Sequence, residues 1–197
     1  MPAPPQLDYD TIYHIWNRGV NHSTIFRNDD NYRYFLKLYI HHIEPVAETY
    51  AYCLLPNHFH FLIHTRAEAG QRECRQALQG DSTGFLPPSQ AFSNLFNAYV
   101  RAFNKQHNRS GGLFEDRFGR KPVRTDSYLA QLVMYIHQNP LKHGLVDDIR
   151  DWRYSSYDAL ATGKSSRVNR TEVMSWFGSE SNFIASHRKT SEVSEDL

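Results

Sequence analysis

The pattern of apolar and polar positions predicts alternating strands and helices along most of the chain. Runs rich in β-branched and aromatic side chains are typical of strands, and apolar side chains at helical spacing are typical of helices. The predicted elements, in chain order, are a strand at 11–17, a helix at about 30–43, strands at 46–55 and 58–65, a helix from residue 88, a strand at 113–123 and a helix from about 125 to 138. This order indicates an α+β fold with a ferredoxin-like βαββαβ core and an antiparallel sheet, to which the last helix, a tyrosine-bearing one, and a C-terminal tail are added.

The remaining stretches set the expected domain boundaries. Residues 66–87 have no clear periodicity, and we expect an inserted loop there. Residues 1–9 are expected to be a loose leader, and 10–160 the folded domain. Residues 161–197 are expected to be a partly disordered C-terminal extension, with one more short helix near 170–177.

Composition narrows the class of protein. The chain has 197 residues, 40% of them hydrophobic and 14% aromatic, which fits one globular domain with a sizeable core. Its two cysteines, Cys53 and Cys74, have no CxxC spacing, so we expect neither a disulfide scaffold nor a cysteine-ligated zinc site. No basic start with an apolar run indicates a signal peptide, and no run is long enough to span a membrane. We therefore expect a cytoplasmic protein.

Charge is distributed unevenly along the chain. The formal net charge is only +1, yet residues 101–124 hold seven basic and two acidic side chains, a local charge of +5. Such a basic stripe on a near-neutral chain is typical of a surface that contacts phosphates. Charge alone fits a solvated basic surface equally well.

Two histidines alternate along the second strand of the predicted hairpin. His58 and His60 follow the Pro56-Asn57 turn and, two residues apart on a strand, project from one face with Cα atoms roughly 6.6 Å apart. Two neutral imidazoles on a rigid element can serve as two ligands of an open metal site. Taken alone, the pair fits a half-exposed strand better.

The last predicted helix carries a tyrosine and an asparagine on one flank. With 3.6 residues per turn, Tyr135 and Asn139 lie one turn apart, beside the core-facing stripe. The stripe consists of Leu129, Leu132, Val133 and Ile136. Gln138 points nearly opposite the core, and Pro140 places Asn139 where the helix is expected to end. A boundary tyrosine and a helix C-cap asparagine are the plainer interpretations of these two residues.

The two stretches taken together indicate phosphodiester chemistry. His58, His60 and Asn139 could hold one divalent ion with positions left open for phosphate oxygens. Tyr135 could then supply the attacking oxygen. A phenol with a pKa near 10 needs help to lose its proton, yet it leaves readily from a phosphate ester, which suits a reversible covalent step.

These residues resemble a known family. Pro56-Asn57-His58-Phe59-His60 resembles the HUH motif (His, hydrophobe, His) of single-tyrosine transposases, the transposases of the insertion-sequence type. Tyr135-Ile136-His137-Gln138-Asn139-Pro140 resembles the tyrosine helix of their REP-associated branch. Further similarity lies in Lys142-His143-Gly144, Gly112-Leu113-Phe114, Arg117-Phe118, Pro122-Val123, Asp126-Ser127-Tyr128-Leu129 and Trp152-Arg153-Tyr154-Ser155-Ser156-Tyr157. The likeness covers roughly residues 10–160, in the same order.

The resemblance implies cleavage and rejoining of single-stranded DNA near hairpins. Tyr135 would attack the scissile phosphate and become linked to the 5′ phosphate. His58, His60 and Asn139 would be ligands of one Mg²⁺ or Mn²⁺ ion, with Asn139 at the offset where other single-tyrosine relatives have glutamine. Relatives act as monomers or as homodimers, and both states stay open here.

The basic residues fit this interpretation as contacts to a strand or a hairpin. The predicted DNA-binding residues are Arg101, Lys105, Arg117, Arg120 and Lys121, with Phe118 available to stack on bases. Two alternatives to the transposase remain. One is a domesticated regulator that binds hairpin DNA without productive cleavage, and the other is metal-dependent hydrolysis without a covalent step.

Overall fold

The computed structural model describes residues 6–79 and 86–189, and its centre is a four-stranded antiparallel sheet in the order β2-β3-β1-β4. The strands are β1 (Ile12–Arg18), β2 (Ala47–Leu54), β3 (His58–Thr65) and β4 (Gly119–Pro122). The helices are α1 (Asp29–His42), α2 (Glu68–Gln79), α3 (Pro88–Gln106), α4 (Asp126–Lys142), α5 (Tyr157–Thr162), α6 (Arg170–Phe177) and α7 (Glu180–Ser186). The strand order and the antiparallel pairings are those of a βαββαβ core, so the predicted α+β fold is confirmed.

Helices cover both faces of the sheet because successive strand side chains alternate. Phe59 and Phe61 of β3 pack into one core with residues of α1 and α3, among them Phe35. Leu62 belongs to a second core on the opposite face, formed mainly with α4, α6 and α7. The histidines of β3 lie on that second face, so the sheet separates them from the phenylalanine-rich core.

The predicted loop at 66–87 is wrong for its first part. Residues Glu68–Gln79 form α2, and residues 80–85 lie outside the described part of the chain. The helix is polar overall, and its narrow stripe is made mostly of small residues, Gly70, Cys74 and Ala77, so the stripe is weak evidence for a helix in the sequence.

The predicted strand at 113–123 is too long, since only Gly119–Pro122 forms a ladder with β1. Upstream of it, Phe114 makes an isolated bridge to Gly19, and Arg117 adopts a left-handed backbone with φ of 71°. A residue in that region cannot continue a strand.

Helix α4 continues past the point where its sequence predicts an end. Pro140 lies inside the helix, so the prediction that Asn139 marks its end is wrong. The proline removes one backbone donor. The last turn is nevertheless held, because His143 N–H donates to the Asn139 carbonyl at 3.0 Å and Leu145 N–H donates to the Pro140 carbonyl at 2.9 Å.

The residues that follow the core pack against α4 and against the edge of the sheet. Val173, Phe177 and Phe183 of α6 and α7 are buried in the α4 core. Asn169 N–H donates to the Thr49 carbonyl at 2.8 Å, beside a parallel bridge between Thr49 and Val168. The outer edge of β2 is thereby covered. Among the described residues, no helix is both long and apolar enough to cross a membrane.

A chain of buried hydrogen bonds joins α7 to α4. His187 Nδ1 donates to the Phe183 carbonyl at 2.8 Å, so its Nε2 accepts from His137 Nδ1, also at 2.8 Å. His137 Nε2 then accepts from the Ser156 hydroxyl at 2.8 Å. His187 must be neutral for its Nε2 to accept this hydrogen bond. Burial lowers the pKa of His187 to about 4, and burial followed by the charge of His187 lowers the pKa of His137.

We expect His187 to make the folded state less stable in acid. The unfolded chain binds a proton at this residue near pH 6.5 and the folded chain only near pH 4, so stability falls as the pH drops through that window. Urea unfolding at about pH 7.5 and about pH 5 should show the wild type losing about 2 kcal/mol more than His187→Gln, which keeps a donor and an acceptor but does not titrate.

Equal pH slopes for the two proteins would contradict this expectation. The other ionisable groups around His187 are His137, Tyr157, Asp147, Asp148, Arg150 and Arg188. All of them are present in both proteins. Burial, the larger cause of the lowered pKa of His137, is also kept in the variant, so the difference in slope is assigned mainly to His187.

Gly119 lies directly against the indole of Trp16, its partner across β1 and β4. A Cβ atom on Gly119 would fall 2.0 Å from Trp16 Cε2, far inside van der Waals contact. We expect Gly119→Ala to destabilise the fold by about 1–3 kcal/mol in chemical denaturation, since the ring or the strand must move. Gly112→Ala is the matched control, because the nearest atom to its added Cβ is 3.9 Å away, and its effect should stay within about 0.5 kcal/mol.

Candidate active site

An open cleft of about 370 Å³ lies on the α4 side of the sheet. His58, His60, Tyr135 and Asn139 all line it, so the structure brings together the four residues that the sequence singled out. The other lining residues are Trp16, Asn17, Arg18, His22, Asn57, Phe59, Glu115, Arg117, Gly119 and His143. The cleft draws on β1, β3, β4 and α4, which explains why no single stretch of sequence indicates it.

The two histidines of β3 lie beside the ring of Tyr135. The His58 and His60 ring centroids are 5.3 Å apart, and the Tyr135 centroid is 5.5 Å from that of His60, edge to face. His60 is buried and His58 is half-buried. Alternation along β3 gives the pair its common face, as expected.

Each imidazole is oriented through its Nδ1 atom. The Asn57 side-chain oxygen lies 2.7 Å from His58 Nδ1, and because an amide oxygen only accepts, His58 carries its proton there. Nε2 of His58 therefore keeps its lone pair. His60 Nδ1 lies 3.0 Å from Nε2 of His14, a residue buried on β1. One hydrogen bond joins the two rings. Which of the two nitrogens carries its proton depends on the tautomers of His14 and His60.

The cleft keeps its buried imidazoles neutral. Burial lowers the pKa of His58 to about 4, with smaller contributions from His143 and Arg18. Burial, followed by the neighbouring His14, His58 and His143, depresses the pKa of His60 further. Neutral imidazole is the form that binds a metal ion.

Asn139 presents an unsatisfied oxygen to the same place. Its Nδ2 donates to the Tyr135 carbonyl at 2.8 Å, which fixes the orientation of the amide. Its Oδ1 is buried and has no hydrogen-bond partner among the described residues. The amide lies near enough to His58 to favour a positive charge on that ring, although burial outweighs the effect.

The donor set fits a bound cation. A lone pair on His58 and an unpartnered oxygen on Asn139 are both acceptors, and a metal ion bound between them would satisfy both. Within residues 6–79 and 86–189, no group of three His, Cys, Asp or Glu side chains could hold a metal ion. A third protein ligand beside the two histidines would therefore be the Asn139 amide, as the sequence predicts.

Tyr135 lies in the wall of the cleft. Its side chain is only 2% exposed, and the Lys142 ammonium lies 4.6 Å from its ring centroid.

The side chains of α4 that were expected to face the core, Leu129, Leu132, Val133 and Ile136, are buried. Gln138, expected to face away from the core, is buried too, because α7 and the residues after it cover that side and accept hydrogen bonds from its amide.

The five predicted DNA-binding residues lie on different surfaces. Arg117 lines the cleft, and Lys121 is exposed on the same sheet face, 5.8 Å from the Tyr128 ring centroid. Arg120 lies on the other face, 3.7 Å above the Phe118 ring, and contacts Ser89. Arg101 and Lys105 are exposed on α3, away from the cleft.

Sequence reasoning missed three residues that shape the cleft. His14 orients His60, Asn57 orients His58, and Trp16 forms part of the wall. His14 and Trp16 alternate on the first strand as His58 and His60 do on β3, so a second His-containing period-two pattern was the available signal. For Asn57 the sequence predicts a place in the turn and gives no sign of its contact with His58.

Fold and cleft together define an α+β class in which a ferredoxin-like sheet presents a His-x-His pair to a helical tyrosine. A Haemophilus influenzae protein provisionally named a REP-associated tyrosine transposase is 36% identical to the chain over 113 residues. The alignment covers 56% of the chain and 58% of that protein, so it spans little more than half of the relative.

A solved structure of a REP-associated tyrosine transposase bound to a REP hairpin shares the fold. Its TM-score is 0.55 at 20% identity, covering 84% of this chain and 88% of that one. No family model matches the chain. Both matches lead to REP-associated tyrosine transposases, so the resemblance that the sequence predicts is confirmed.

Proposed function

We propose that the chain is a DNA strand transferase that cleaves and rejoins single-stranded DNA near hairpins, through a 5′-phosphotyrosine intermediate and with a divalent metal ion. The observation that carries this proposal is the meeting of Tyr135 with the His58–His60 pair in one cleft. The named relatives support the coarser part, a transposase-like protein that acts on hairpin DNA.

Tyr135 is the nucleophile in this proposal. Its phenol oxygen forms a bond to phosphorus as the bond from phosphorus to the 3′ oxygen breaks, which leaves a free 3′ hydroxyl once that oxygen takes up a proton. The phenol gives up its own proton to solvent in the same step, and this loss balances the proton that the 3′ oxygen takes up. A 3′ hydroxyl that later attacks the phosphotyrosine reverses these changes and rejoins the strand, so no external energy is needed.

The remaining groups of the cleft position the phosphate. His58, His60 and Asn139 would hold one Mg²⁺ or Mn²⁺ ion, which when bound neutralises phosphate charge. Arg117 adds positive charge to the lining of the cleft, whereas the charge of Arg18 is offset by Glu115, with which it pairs at 2.6 Å. All of these side chains line one cleft of a single chain, which supports a site completed in cis.

We expect Tyr135→Phe to abolish covalent linkage to DNA. Purified protein incubated with a hairpin oligonucleotide, bearing a single-stranded flank, and Mn²⁺ should give a protein–DNA adduct on a denaturing gel, and the variant should give none. Loss of the hydroxyl removes the bond-forming atom and leaves the ring packing intact. Tyr128→Phe, on the same helix but outside the cleft, is the matched control and should retain the adduct.

Two other outcomes separate the alternatives. Cleavage that persists in Tyr135→Phe would indicate hydrolysis without a covalent step. Hairpin binding in EDTA, with no adduct under any divalent metal, would indicate a regulator that binds DNA without cleaving it. Either result would overturn the proposed reaction.

We expect Asn57→Ala to weaken binding of Mn²⁺ by about 10- to 100-fold, measured by calorimetry or by the Mn²⁺ spin resonance signal. The substitution removes the acceptor that orients His58 and fixes its tautomer. Asn139→Leu should weaken binding at least as much. His64→Ala is the control, because His64 lies on the same strand face but pairs with Asp10 instead of lining the cleft. Unchanged Mn²⁺ affinity in both Asn variants would rule out this ligand set.

A further inference from the structure

We infer that the indole of Trp16 is a stacking platform for a nucleobase of the single strand next to the phosphate that is bound at Tyr135. This inference rests on the proposed function and adds a base-binding subsite to it. The ligand is an unpaired base, recognised through its π-face and not through its hydrogen-bonding edge.

The indole lies flat on the sheet because β4 has a glycine beneath it. A Cβ on Gly119 would fall 2.0–2.4 Å from three atoms of the ring, Cε2, Cδ2 and Cζ2, so the ring sits over the glycine backbone. His14 supports the indole from the neighbouring position, with ring centroids 4.8 Å apart at 34°. One face of Trp16 is therefore covered by protein.

The other side of the indole is open to the cleft. Trp16 is only half-buried and lines the cleft together with Tyr135 and Asn139. No side-chain hydrogen bond is made by its Nε1 within the described part of the chain. Trp152 differs, because its Nε1 donates to the Leu54 carbonyl at 2.9 Å. Trp16 thus has a large aromatic ring that is held flat and half-exposed, with no hydrogen bond from Nε1 to another described residue. Packing in the core alone does not explain this arrangement.

Its position relative to the reacting groups suits a neighbouring nucleotide. Trp16 is directly paired with His60 across β1 and β3, so the platform lies one strand away from the proposed metal ligands. Arg117, whose backbone is in the left-handed region, lines the same cleft as Trp16. A cationic side chain and an aromatic face in one cleft are the elements that bind single-stranded DNA with little regard to sequence.

Binding of short single strands in EDTA tests the platform independently of cleavage. The probes are an oligothymidylate and an abasic strand of equal length, which carries the same phosphates but no bases. We expect the wild type to bind the base-bearing strand roughly 5- to 100-fold more tightly, and its tryptophan fluorescence to be quenched by that strand alone. Equal affinity for both strands would overturn the inference.

Protein variants assign the effect to Trp16. Trp16→Leu should lose most of the preference for the base-bearing strand, Trp16→Phe should keep part of it, and both should lose the quenching. Trp176→Phe is the matched control, because Trp176 packs against Tyr50 outside the cleft. Retention of both preference and quenching in Trp16→Leu would assign the stacking elsewhere.

The result is separable from that of the proposed reaction. Base-dependent binding through Trp16 without any covalent adduct would support the base-binding role of Trp16 and overturn the strand-transfer proposal. An adduct that forms with no dependence on Trp16 would do the reverse. No binding of either strand would overturn the platform.

Discussion

The alternation of side chains along β3 is the constraint on which the rest of the structure depends. Phe59 and Phe61 are fully buried against α1 and α3, while His58 and His60 project from the other face. A slip of one residue in the pairing with β1 would exchange the two sets, placing imidazoles in an apolar core. The free energy that fixes the core therefore also fixes the spacing and direction of the candidate ligands.

Helix α4 supplies the second half of the cleft, and it is held from two sides. Leu132, Val133 and Ile136 anchor it to the sheet, and His137 and Gln138 tie its outer side to α7 and the residues after it. Reacting groups work best when their supports are rigid. In this chain the support comes partly from the segment at 161–189, so that segment contributes to the geometry of Tyr135 as well as to stability.

The sequence predicts those features that depend on local periodicity. The bounds of β3, the buried stripe of α4 and the common face of His58 and His60 all follow from period-two and period-3.6 patterns. Helix α2 was not predicted because few of its residues are apolar. The burial of Gln138 depends on contacts with residues 49 and 51 positions away, and the role of His14 depends on a contact 46 positions away. Such pairings leave no trace in the local sequence.

Coverage of the sheet edges has a consequence for self-association. On one side, residues 168–169 and Ser155 occupy the open hydrogen-bonding groups of β2. On the other side, β4 is four residues long, carries Arg120 and Lys121, and ends in a proline. An edge strand that is short, charged and ended by a proline resists pairing with a strand of another molecule. The chain can thus keep its cleft open to solvent without offering its neighbours a template for fibrous aggregation.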